Sequence, residues 1–167
     1  MSRNVGNVSS VRKTITIERT FDAPVAEVWE LWTTAEGIES WWGPDGFRVK
    51  VRKLELRPGG ALDYDMIATG PDQIAYMKKA GMPVTQEVRA YFTEVTAPRR
   101  LAFTCIVDFV PGVASYESAT IVELTARGQQ THLVLTVEAM HDEQWTNMAV
   151  MGWQMELGKL ARALEKK

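Results

Sequence analysis

The chain has 167 residues, 46% of them hydrophobic and 24% charged, with a formal net charge of −2. This is long enough for one domain with a sizeable core, and the composition is that of a globular chain, not a disordered one. Both charge signs are spread along the sequence, so no basic stripe argues for nucleic acid and no polybasic cluster for an anionic membrane. The one cysteine, Cys105, excludes an internal disulfide and a thiolate metal cluster. No window approaches the roughly 18 apolar residues of a membrane span, and residues 1–10 lack the apolar run of a signal peptide, so a cytoplasmic protein is expected.

Residues 1–11 read as a flexible tail and 12–167 as a single domain. Residues 14–21 (TITIERTF) alternate as a strand does, with Ile15 and Ile17 on one face and Thr14, Thr16 and Glu18 on the other. The period then changes. Val25, Val28, Trp29 and Trp32 recur at helical spacing, with Pro24 suited to the first turn, where its missing N–H costs nothing. A second short helix is predicted over 35–42, with Thr34 as N-cap and Glu36 at the positive end of the dipole. Gly43-Pro44 and Asp45-Gly46 then turn the chain.

Six strand-like runs follow, at 47–54, 61–67, 85–95, 100–109, 116–126 and 131–139. Turn signals separate most of them, which implies an antiparallel meander. Residues 68–84 are longer and more apolar than a hairpin tip needs, and Ile74, Tyr76, Met77 and Met82 would form a flap there. Residues 142–165 read as a helix of roughly 36 Å. Trp153, Leu157, Leu160, Ala161 and Leu164 make its stripe, with Met148, Met151 and Met155 beside it. Lys166 and Lys167 suit its negative end. The whole is an α+β pattern: about seven antiparallel strands, two short helices after the first, and a long final helix covering the sheet.

Four stretches resemble the activator-of-heat-shock-protein-90-ATPase homologue family of the START-like superfamily: 21–44 (FDAPVAEVWELWTTAEGIESWWGP), 55–66 (ELRPGGALDYDM), 94–104 (EVTAPRRLAFT) and 151–164 (MGWQMELGKLARAL). The resemblance implies a helix-grip fold, a curved antiparallel sheet wrapped around the last helix. Between them it implies a cavity that in relatives often takes a lipophilic small molecule. It does not extend to the separate N-terminal domain of the heat-shock co-chaperone, which has no counterpart before Thr14.

Alternation assigns the cavity faces. Leu62, Tyr64 and Met66 share one face of a strand and Asp63 and Asp65 the other, where they would be solvated. Leu101, Phe103, Cys105 and Val107 form a second apolar face, Val122 and Leu124 a third. Trp29, Trp32 and Trp153 suit the core. Trp41 and Trp42 would diverge by about 100° on a helix, so one of them, taken as Trp41, is expected at the cavity mouth. Gly152 sits inside a helix, where glycine costs about 1 kcal/mol relative to alanine, so it is expected to let the helix approach the sheet or a ligand. The expected ligand wall is therefore Trp41, Tyr64, Met66, Phe103, Cys105, Val122, Met148, Gly152 and Met155.

Catalytic signals are sparse. Neither His132 nor His141 has the spacing of a metal motif, and no phosphate loop or nucleophile elbow is present. No metal and no cofactor are expected. Cys105 in an apolar strand reads as an inert thiol. Only Tyr64, Glu138 and His141 are candidates for acid–base work. Binding of a small apolar molecule is thus the leading expectation. A cyclase- or hydrolase-like enzyme would need those three groups to converge in the cavity. A stress-response interaction module would need an exposed apolar patch at Trp41, Trp42 or 68–84, which would also allow a homodimer.

Overall fold

The computed structural model describes residues 13–166; the tail expected over 1–11, and Lys167, lie outside the described residues. Strand β1 (Thr14–Phe21) is followed by helices α1 (Val25–Thr33) and α2 (Ala35–Glu39), strands β2 (Phe47–Leu54) and β3 (Ala61–Ala68), and helix α3 (Pro71–Lys79). Strands β4 (Thr85–Thr96), β5 (Arg100–Val107), β6 (Tyr116–Arg127) and β7 (Gln130–Glu138) lead to helix α4 (Glu143–Glu165). All seven strands form one antiparallel sheet in the order β1-β7-β6-β5-β4-β3-β2. This is the α+β helix-grip arrangement.

From β2 to β7 each strand pairs with the next, β3 and β4 being joined through α3, while β1 pairs with β7 in the register Thr14↔Glu138 to Phe21↔Thr131. Helices α1 and α2 therefore carry the chain from one edge of the sheet to the other. Irregularities at Val51/Lys53 and Phe92/Glu94 interrupt the ladders; such bulges bend a strand and increase its twist. At the first, the Val51 N–H donates to the Glu39 carboxylate at 2.8 Å, which ties the end of α2 to β2.

Local chemistry sets the helix ends. Pro24 is the extended residue before α1, one position earlier than the sequence suggests. The buried face of α1 is Val28, Leu31 and Trp32, while Val25 and Trp29 pack at its margin. The Thr34 hydroxyl accepts from the Gly37 N–H at 2.9 Å and caps α2. The Asp142 carboxylate accepts from the Trp145 N–H at 2.7 Å and caps α4.

Two expectations need correction. Helix α2 ends at Glu39 and does not continue to 42. The segment 68–84 holds a further helix, α3, in which Pro71 enters at the first turn. Beneath it Ala68, Met77 and Met82 form a small second core with Phe47 and Ile74 at its edge.

The main core lies between the sheet and the C-terminal half of α4. Leu157 and Leu160 are fully buried against Phe92, Leu101, Leu133 and Leu135. Met148, Met151 and Met155 are among the exposed large hydrophobics. No helix among the described residues is long and apolar enough to cross a membrane. The two sides of α4 differ enough for a stability test. Leu160→Ala is expected to cost about 2–5 kcal/mol and Met151→Ala within about 0.5 kcal/mol, read from urea midpoints. Equal costs would mean that the helix presents a different face to the sheet.

Candidate functional site

The N-terminal half of α4 does not touch the sheet in the same way. Between them lies a chamber of about 310 Å³. Strand β3 contributes Tyr64 and Met66, and β5 contributes Phe103, Cys105 and Val107. Ser118 and Thr120 of β6 and Val137 and Glu138 of β7 complete the sheet side. Along α4 the lining residues include Trp145, Ala149, Gly152 and Glu156, at i, i+4, i+7 and i+11, a single helical face. Trp42 and Pro44 close the end nearest α2.

Of the expected wall, Tyr64, Met66, Phe103, Cys105, Met148 and Gly152 line this chamber, and Trp41, Val122 and Met155 do not. Trp41 is fully buried, and its indole N–H donates to the Leu31 carbonyl at 2.7 Å. Its neighbour Trp42 holds the wall position. Because α2 stops at Glu39, the two rings do not diverge as helical neighbours would. Both enter the core, 6.0 Å apart and edge to face, so neither offers an exposed patch. Val122 is one inward-facing step beyond Thr120, inside the packed core. Met155 faces solvent, one position before the chamber-facing Glu156.

The proposed acid–base trio does not converge. Tyr64 and Glu138 line the chamber, whereas His141 lies outside it and bonds the Tyr116 hydroxyl at 2.8 Å. One Glu138 oxygen accepts from the Ala119 N–H at 2.8 Å. His132 bonds Thr20 and Glu18 across β1, on the side of the sheet away from the core. Asp65 pairs with Arg52 at 2.9 Å. Among the described residues no three His, Cys, Asp or Glu side chains gather as a metal site would need.

The sequence reading missed Glu156. It is only 8% exposed, and its Oε2 accepts from the Gly43 N–H at 2.8 Å. Burial pushes its carboxyl up to about 7, against the opposing pull of that hydrogen bond and of the Lys159 charge. Lys159 itself donates to the Gly43 carbonyl at 2.6 Å. Tyr64 is raised well above the ordinary phenol range, first by burial, then by Cys105 and Glu156. Burial, with a smaller contribution from Asp108, pushes the Cys105 thiol up to about 12 and keeps it protonated and unreactive. The signal for Glu156 was its place on the Trp145–Ala149–Gly152 face, hidden because that face was sought among apolar residues.

Gly152 has room around it. A methyl group built there would meet only the Pro44 Cγ, at 3.9 Å. Close approach of helix to sheet therefore does not explain this glycine; it widens the chamber. Beside the chamber, and sharing Pro44, Met66, Trp145 and Met148 with it, runs a groove of about 450 Å³ under α3. A third hollow, about 540 Å³, lies between α1, α2 and the end of α4. Glu30, Glu36, Asp45, Lys159 and Arg162 line it, so it carries both charge signs and suits no apolar guest.

The family model described as Activator of Hsp90 ATPase homolog 1-like protein matches residues 22–165. A protein from Chromobacterium violaceum has a similar structure, with a TM-score of 0.75 and 22% identity, covering 91% of this chain and 96% of that one. An AHSA1-like protein from Aeromonas hydrophila gives a TM-score of 0.69 and 23% identity, over 92% of this chain and 93% of that one. The AHSA1 protein from Silicibacter pomeroyi gives 0.69 and 21%, over 92% and 98%. Comparison with curated proteins finds no match.

The buried carboxyl makes stability depend on pH. Its folded value, about 7, lies above the ordinary value of 4.5, so the folded state holds the proton longer. That contribution is fully present below about 4.5 and lost as pH rises to about 7. Glu156→Gln should remove the loss. Relative to the parent, the variant is expected to gain up to about 3 kcal/mol between pH 4.5 and pH 8, by urea unfolding at the two values. A parallel pH profile for the two proteins would refute the buried, proton-holding carboxyl.

Proposed function

We propose that this chain, which belongs to the Activator of Hsp90 ATPase homolog 1-like family, binds a small, mainly apolar molecule between its sheet and α4. The observation that carries the reading is the chamber: about 310 Å³ bounded by aromatic, aliphatic and methionine side chains. Protein interiors normally pack as densely as organic crystals, so space on this scale calls for a reason. It lies at the lower end of the usual range for small-molecule pockets, roughly 300–1,000 Å³. Such pockets are mostly apolar with a few polar groups that orient the guest. Here Tyr64, Glu138 and Glu156 are those groups.

The family and the fold supply a START-like scaffold, and the division of α4 supplies the means. Its C-terminal half anchors the helix through Leu157, Leu160 and Leu164. Its N-terminal half is thereby free to stand off the sheet and bound a guest. Met148, shared by chamber and side groove, is a flexible side chain suited to the mouth.

Substitution at Gly152 separates fold from binding. Gly152→Ala should stabilise the protein by up to about 1 kcal/mol, because alanine is the better helix former and the space admits it. Gly152→Leu should keep the fold and weaken uptake of co-purifying or added apolar compounds by about tenfold or more, a cost of about 1.4 kcal/mol. Native mass spectrometry and thermal shift read both. Undiminished binding in Gly152→Leu would remove the chamber as the site.

A further inference from the structure

We propose that the guest is an organic cation, an ammonium group on an apolar body, with its charge held at Glu156 among aromatic rings. This rests on the chamber being a binding site, and it adds the chemistry of the guest.

Three observations point the same way. First, both charged side chains that line the chamber, Glu138 and Glu156, are carboxylates; no lysine, arginine or histidine lines it. Lys159 follows Glu156 by less than one turn, but its ammonium is turned to the Gly43 carbonyl and it lines the other hollow. Second, Glu156 uses Oε2 for the Gly43 N–H and makes no hydrogen bond to the described residues through Oε1. Oε1 is not one of the buried polar atoms left without a partner, so it opens to accessible space at the chamber wall, where a donor or a cation can meet it. Third, the rings of Trp42, Tyr64, Phe103 and Trp153 belong to the same wall. Trp42 stands 5.2 Å from Tyr64, 5.8 Å from Phe103 and 6.1 Å from Trp153, centroid to centroid. Ring faces attract cations, most strongly where water is excluded.

An anionic guest meets two carboxylates and no counter-charge. A neutral guest can donate a hydrogen bond to Oε1 but brings no counter-charge. An ammonium satisfies Oε1 and the rings together. Glu156 must be ionised for this, so binding strengthens as pH rises through the neutral range. Lys159 on α4 and Tyr64 on β3 couple to Glu156, and Cys105 on β5 and Glu138 on β7 are the other titratable side chains in the same wall.

The test is calorimetric titration of the whole protein with three probes of similar size: 4-phenylbutylamine, 4-phenylbutanol and 5-phenylpentanoate. At pH 8 the amine is expected to bind at least about tenfold more tightly than the alcohol, with the carboxylate weakest. The preference should shrink at pH 6 and fall to near parity in Glu156→Gln. An alcohol or carboxylate that binds as well as the amine in the unaltered protein would overturn the cation assignment and leave the chamber standing as an apolar site. An amine preference that survives in a folded Glu156→Gln would overturn the role of that residue. Failure of all three probes to bind would overturn both this inference and the binding function beneath it.

Discussion

Gly43 is gripped at both of its backbone polar groups. Glu156 accepts from its N–H and Lys159 donates to its carbonyl, so one helix holds one residue of the α2–β2 connection from both sides. Gly43 sits at φ +97°, where side chains are disfavoured, and an added Cβ would stand 3.1 Å from the Phe47 carbonyl oxygen. The grip fixes Trp42 on one side and Pro44 on the other, and those two residues close one end of the chamber. A carboxyl that would be costly to bury by itself is tolerated because it does this structural work and has a lysine near it.

The aromatic cluster rests on that grip. Trp42 meets Trp32, Trp41, Trp153 and Tyr64 edge to face. Trp32 and Trp153 stack at 5.8 Å. Each such contact contributes about 0.5–1.5 kcal/mol beyond area burial. The indole N–H groups of Trp32 and Trp42 are buried and make no hydrogen bond. An orphaned donor costs about 1–3 kcal/mol, so the ring contacts must offset that cost here. The cluster marks the border in α4 between the packed half and the half that stands away from the sheet.

Much of this was legible in the sequence. Alternation gave each strand to within two residues at its ends, and the faces of β3 and β5 followed from period two alone. Phe103, Cys105, Tyr64 and Met66 could be placed on the inner side because burial on a strand leaves little choice. The rest depended on where elements stop and how they pack. Trp41 and Trp42 exchanged roles because α2 ends three residues early, which residue spacing cannot register. Helix α3 was hidden because 68–84 has too few apolar residues at helical spacing for its own small core to stand out. On α4 the visible stripe was the one that fills the core. The adjacent face is made of tryptophan, alanine, glycine and glutamate, and reads as a lining only once a space is known to lie in front of it.

The pairing of β1 with β7 has a kinetic meaning. The register Thr14↔Glu138 joins segments far apart in the chain, and such contacts form slowly because a long loop must be closed first. During synthesis β1 has no strand partner until β7 has been made, while the β2–β6 meander can zip up hairpin by hairpin. Helix α4 is made later still. The chamber is therefore assembled only after the whole sheet has been made, and a ribosome-bound fragment ending before α4 would hold most of the sheet with its apolar face uncovered.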